Sequence, residues 1–211
     1  MIKRNLPMMI ITSVVILIPV LIGFLLWNRL PDQIPIHWNA QGEVDGYGSK
    51  LFTVLTMPLF LLAIHWLCTL ITCADPKLKQ VEGKPLTLVL WICPITSLLV
   101  LTLVYITAMG YPISVEIIMP LVMGALFVVV GNYMPKCKQN FTIGIKLPWT
   151  LHDEENWYKT HRFAGILWVA GGVLIMATSF LGSIWPSLIV TLAMAFAPMV
   201  YSYCLYRKKN G

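Results

Sequence analysis

Six apolar runs, each near the length that crosses a bilayer as a helix, decide what this chain can become. They cover about residues 7–27, 52–73, 86–109, 113–131, 163–182 and 186–206, and a transmembrane helix needs roughly 20 such residues. In lipid every backbone polar group must be satisfied within the protein, and runs of this length achieve that as helices. Composition agrees. Of 211 residues, 58% are hydrophobic and 11% are charged, where an ordinary soluble domain is about a quarter charged. The sequence therefore predicts an all-α integral membrane protein with six transmembrane helices in one membrane domain, 1–211. The first run is followed by "WNRLPDQIP" and not by a small-residue cleavage site, so a retained helix is expected.

Placement of Lys and Arg sets the expected orientation. One side would hold Lys3, Arg4, Lys77, Lys79, Lys84, Lys136, Lys138, Lys146, Lys159, Arg162, Arg207, Lys208 and Lys209; the other would hold only Arg29 and Lys50. Both termini are therefore expected in the cytoplasm, with a long outer loop at 28–51 and a long inner loop at 131–165. The net charge of +6 is spread in short patches between apolar runs. A nucleic-acid binder would gather it on one water-facing surface, so no direct nucleic-acid contact is expected. Five cysteines with no Cys-x-x-Cys spacing form neither a disulfide framework nor a zinc motif.

Proline recurs inside the runs at Pro19, Pro58, Pro94, Pro120 and Pro198. Each removes a helix hydrogen bond and permits a kink. Each half of the chain reads helix, long polar loop, helix, short loop, helix. Inverted repeats of that plan build the midplane sites of many transporters. His65 is expected to hydrogen-bond inside the bundle as a neutral imidazole. Glu116, near the outer end of the fourth helix, is a candidate for reaching water or relaying protons.

The two long loops carry the chemistry. In "LPDQIPIHWNAQGEVDGYGSK", Pro31 and Pro35 hold the chain extended, and Gly42, Gly46 and Gly48 permit tight turns. Asp32, His37, Glu43 and Asp45 have metal-ligating chemistry but match no cage spacing, so a folded cap with His37 and Trp38 at the lipid interface is expected, with no metal and no cofactor. In "GNYMPKCKQNFTIGIKLPWTLHDEENWYKTHRFAG", Pro135 and Pro148 fix corners, Gly144 allows another, and Asn132 and Asn140 can bridge backbone groups. Lys136, Lys138 and Lys146 would face an anionic leaflet. Thr150 and Asp153 read as a capping-box variant, with Asp153, Glu154 and Glu155 in the first helical turn. Trp157, His161, Gly165 and Trp168 then share one helical face. Trp157 alone suits an interfacial anchor; the whole stretch suits a folded platform. Nucleotide-binding, zinc-protease and nucleophile-elbow motifs are absent, and an enzyme is not expected.

At these residues the chain resembles the SdpI family of bacterial membrane immunity proteins. The resemblance rests on Gly131, Asn132, Met134, Pro135, Lys136, Asn140, Gly144, Pro148, Trp149, Trp157, Thr160, His161, Arg162 and Gly165. The outer loop is similar to the uncharacterised domain that often precedes that signature, at Leu30, Pro31, Ile34, Pro35, His37, Trp38, Gly42, Asp45 and Lys50. Lys146 stands where arginine is often expected, which loosens any bidentate grip there. The resemblance implies a multi-pass protein of the bacterial cell membrane that protects against a secreted toxin peptide. It also implies a signal, in which a cytoplasmic winged-helix repressor is held at the membrane. On that reading Pro31, Pro35, His37, Trp38, Gly42, Asp45, Lys50 and Glu116 face the toxin. Asn132, Pro135, Lys136, Asn140, Gly144, Lys146, Pro148, Trp149, Trp157, Thr160, His161 and Arg162 carry the signal. The competing expectation is a secondary transporter or exporter of a small peptide or amphiphile.

Overall fold

The structure, a computed structural model, describes residues 2–77 and 84–210, with side chains from 5–77 and 87–210. Lys79 of the expected inner charges lies outside the described residues, as do the side chains of Lys3, Arg4 and Lys84. In chain order come α1 (Ile2–Leu25), strands β1 (Gln33–Trp38) and β2 (Val44–Ser49), a π-helical turn (Phe52–Thr56), α2 (Met57–Ala74), α3 (Lys84–Ala108), α4 (Val115–Tyr133), a short α5 (Pro148–His152), α6 (Glu154–Thr178) and α7 (Trp185–Asn210). Six of these helices are long and apolar enough to span a bilayer, and at most 33% of any span is buried within the chain. The remainder is an apolar surface that only lipid covers without cost. This is a multi-pass membrane protein. It divides into two compact units, Met1–Ala74 with Leu86–Val115, and Asp75–Pro85 with Glu116–Gly211.

In the first unit, polar side chains join helices that hydrophobicity alone could not register. Buried His65 on α2 lies 3.0 Å from Thr12 Oγ1 on α1, and Trp66 Nε1 donates to Ser13 Oγ at 3.0 Å. Around Pro19, α3 satisfies carbonyls of α1: Ser97 Oγ donates to Ile16 O and Tyr105 OH to Pro19 O. Pro58 sits where the π turn enters α2, with Met57 N bonded back to Phe52 O. A proline there cannot donate, so the widened turn accommodates it.

The loop read as a folded cap is an antiparallel hairpin, the one non-helical element among those described. Gln33 lies opposite Ser49 and Trp38 opposite Val44. Asn39 Oδ1 accepts from the backbone of Gln41 and Glu43, and Gly42 takes φ +80 to close the turn. Ile34 drops into a core of Leu30, Val54, Leu101, Val104 and Tyr105. Lys50 fastens the hairpin's far end: its ammonium reaches Asp32 at 3.1 Å and Trp27 O at 3.2 Å, above the Trp27 ring.

Candidate functional site: the loop between α4 and α6

The polar stretch folds back on itself because four short-range devices act together. Asn140 is fully buried: its Oδ1 accepts from Thr142 N and Ile143 N, and its amide donates to Lys138 O and Ile143 O. Cys137 joins this turn. Burial pushes its thiol up to about 11, against a smaller opposing pull from the Asn140 amide, so it stays protonated at neutral pH. Thr150 Oγ1 accepts from Leu147 N and lies 2.9 Å from Ile145 O, which starts α5 at Pro148. Asp153 is then the N-cap of α6 and accepts from Glu155 N and Asn156 N. The expected capping box pairing Thr150 with Asp153 is thus two separate caps. Pro148 opens a helix of its own, which closes at His152 and leaves Asp153 extended between two helices. The fifth span accordingly begins at Glu154, earlier than its apolar run.

The Trp157–His161 pair holds this loop against α6. The two rings stack with centroids 4.0 Å apart, and both residues are buried. Trp157 Nε1 donates to Cys137 O at 2.8 Å. A carbonyl, Trp157 O, lies 2.8 Å from His161 Nδ1, so that nitrogen carries the proton; Nε2 accepts from Ile145 N at 3.0 Å. A neutral imidazole fits both partners, while a protonated ring would confront the Ile145 N–H. Gly144 passes directly over the pair with φ +118, where a Cβ would meet His161 Nε2 at 2.3 Å. Burial of Trp157 removes the interfacial-anchor reading of that residue.

Two further contacts tie the loop to the rest of its unit. Asp75, 4% exposed, accepts from Phe141 N at 2.7 Å and Thr142 Oγ1 at 3.0 Å. Trp149 Nε1 donates to Ser202 Oγ on α7, which donates to Asn156 Oδ1; Thr160 donates to the same oxygen, and the Asn156 amide returns to Ser202 O. Underneath, glycines let α4 and α6 touch: Gly131 O lies 2.8 Å from where a Gly165 Cβ would stand, and Gly124 O lies 2.5 Å from that of Gly172.

Of the residues singled out on the sequence for signalling, Asn140, Thr160, His161 and Trp157 are buried and Gly144 and Trp149 half-buried; Asn132, Pro135, Lys136, Lys146, Pro148 and Arg162 are exposed. On the hairpin, His37 Nδ1 pairs with Asp45 Oδ1 at 2.5 Å, with Pro31 exposed, Pro35 buried in β1 and Trp38 half-buried. Glu116, in the first turn of α4, belongs to the other compact unit. Sequence reasoning missed Asp75, Asn156 and Ser202. Asp75-Pro76 at a helix end was a readable turn signal, and Asn156 and Thr160 sit one helical turn apart. Nothing local marks Ser202. Among the described residues no three His, Cys, Asp or Glu side chains could share a metal ion. What the site offers is a rigid polar fold with a basic exterior.

Comparison with known proteins places this loop. The model of the SdpI/YfhL protein family matches residues 136–202, and a domain of unknown function (DUF1648) matches 14–62, which contains the hairpin. Immunity protein SdpI of Bacillus subtilis (strain 168) is 28% identical over 216 residues, covering 99% of each chain. No solved structure matches.

Proposed function

The chain belongs to the SdpI/YfhL family, and from that premise we propose that it is an immunity protein protecting a bacterial cell membrane against a secreted toxin peptide. The carrying observation is the end-to-end similarity to an immunity protein, which spans both the hairpin and the polar loop. In this reading both termini and the 131–165 loop are cytoplasmic, and the hairpin meets the toxin outside. The second half of the proposal is a signal. Toxin binding shifts the protein between two states, and the loop then retains a cytoplasmic winged-helix repressor. Such a shift requires toxin to bind one state more tightly than the other. The burial pattern supports a division of labour within the loop. Asn140, Trp157, Thr160 and His161 hold its shape, and Lys136, Lys146, Pro148 and Arg162 are free to touch a partner.

The test is to express the chain in a bacterium sensitive to an SDP-type peptide and to follow membrane potential after the peptide is added. Retained potential is expected for the parent. His37 variants should lose protection, while Lys146 and Arg162 variants should keep protection and lose repressor retention. Collapse of the potential with the protein present in the membrane would falsify the immunity reading. The division into two units of three spans favours a second reading, a secondary transporter; protection that needs Glu116 and vanishes with the proton gradient would support it.

A further inference from the structure

One corner of the loop turns charge and an aromatic ring outward, while the Lys77 ammonium also donates to Gln139 Oε1 at 2.8 Å. Phe141 is 47% exposed, whereas Trp157 stacks inward on His161 and Trp149 packs against α7. The Lys77 ammonium stands 4.8 Å from its ring centroid, and Lys146 Nζ donates to Thr142 O beside it. Lys136 and Lys138 are exposed on the same stretch. Between Glu116 and Asp153 the sequence contains no carboxylate. Asp75 lies next to the corner, but it is buried, with its oxygens taken by Lys77 N, Phe141 N and Thr142 Oγ1. Among the described residues none of these lysines forms an ion pair.

Position selects the occupant. The loop runs from the span ending at Lys136 to the span starting at Glu154, and Asp75 directly follows the span ending at Ala74. Trp157 and His161 hold it on the start of α6, which puts the loop beside a span end, where headgroups are expected. There a basic surface meets phosphate, and an exposed ring meets the acyl boundary. We propose that the corner of Phe141, Lys77 and Lys146, with Lys136 and Lys138 beside it, docks on anionic phospholipid headgroups. The lysines face the phosphates and Phe141 seats just below them. This surface shares Lys136 and Lys146 with the proposed repressor face, and the purified chain, free of toxin and repressor, separates the two readings.

The test is native mass spectrometry of the full chain released from bilayers of mixed phosphatidylglycerol and phosphatidylcholine. Phosphatidylglycerol should be retained in preference, and Lys138→Gln, Lys146→Gln and Phe141→Ser should each reduce that preference, by roughly fivefold per lysine. Lys146→Arg should restore it. A photo-crosslinking residue at position 141 in intact cells should label lipid. Equal retention of the two lipids by the parent, an unchanged preference in the triple variant, or labelling of a protein would each overturn the proposal.

Discussion

Asp153 caps α6 and meets Lys209 at 2.8 Å, and that hydrogen bond, with those from the Asn156 and Glu155 amides, holds its carboxyl below the ordinary carboxylate range despite partial desolvation. A carboxylate depressed in the folded state contributes stability above its unfolded pKa and loses it as pH falls through its folded pKa. Asp153→Ala should therefore cost about 1 kcal/mol near neutrality, and the gap to the parent should close below pH ~4. Thermal unfolding in detergent across that range checks it, and Asp153→Asn, which keeps the cap, should cost less. Gly144 makes a stricter demand. Its φ of +118 and the His161 ring beneath it leave no room for a Cβ. Gly144→Ala should cost about 3 kcal/mol, combining backbone strain with overpacking. Gly110→Ala, at φ +85 but with open space around it, should cost only about 1 kcal/mol. Equal losses at the two sites would show that the ring contact is unimportant.

Elements were legible to the degree that their cause is local. The six spans follow from apolar length, and the caps and turns of the loop follow from Pro148, Gly144 and Asn140. The hairpin was half legible. Pro31, Pro35 and the glycines announced extension and turns, but proline inside β1 masks the alternation that marks a strand. Asp75 was not legible as an anchor, because its partner Phe141 lies 66 residues away and no periodicity links them. The same holds for Ser202 and Asn156, joined across 46 residues. The helix seam belongs to this scale too. Without a hydrophobic drive in lipid, α4 and α6 gain from close backbone approach, so Gly172→Leu, aimed at Gly124 O and Val128, should cost about 2–3 kcal/mol. Ile166→Leu on the exposed face of α6 should be neutral in the same unfolding assay.

For the molecule as a whole, orientation is the open quantity that one measurement closes. With both termini in the cytoplasm, trypsin should remove the basic tail after Arg207 from inverted membrane vesicles and leave right-side-out vesicles uncut there. The reverse pattern would place the hairpin inside and remove the toxin from its proposed face. The interior cluster of Asn140, Trp157, Thr160 and His161 has one more consequence. These letters, which make the chain recognisable, are spent on scaffolding, whereas any choice of partner must be written in the exposed positions between them. Two chains can thus share this buried set and answer to different ligands. A new target can be acquired at the surface without rewriting the buried frame.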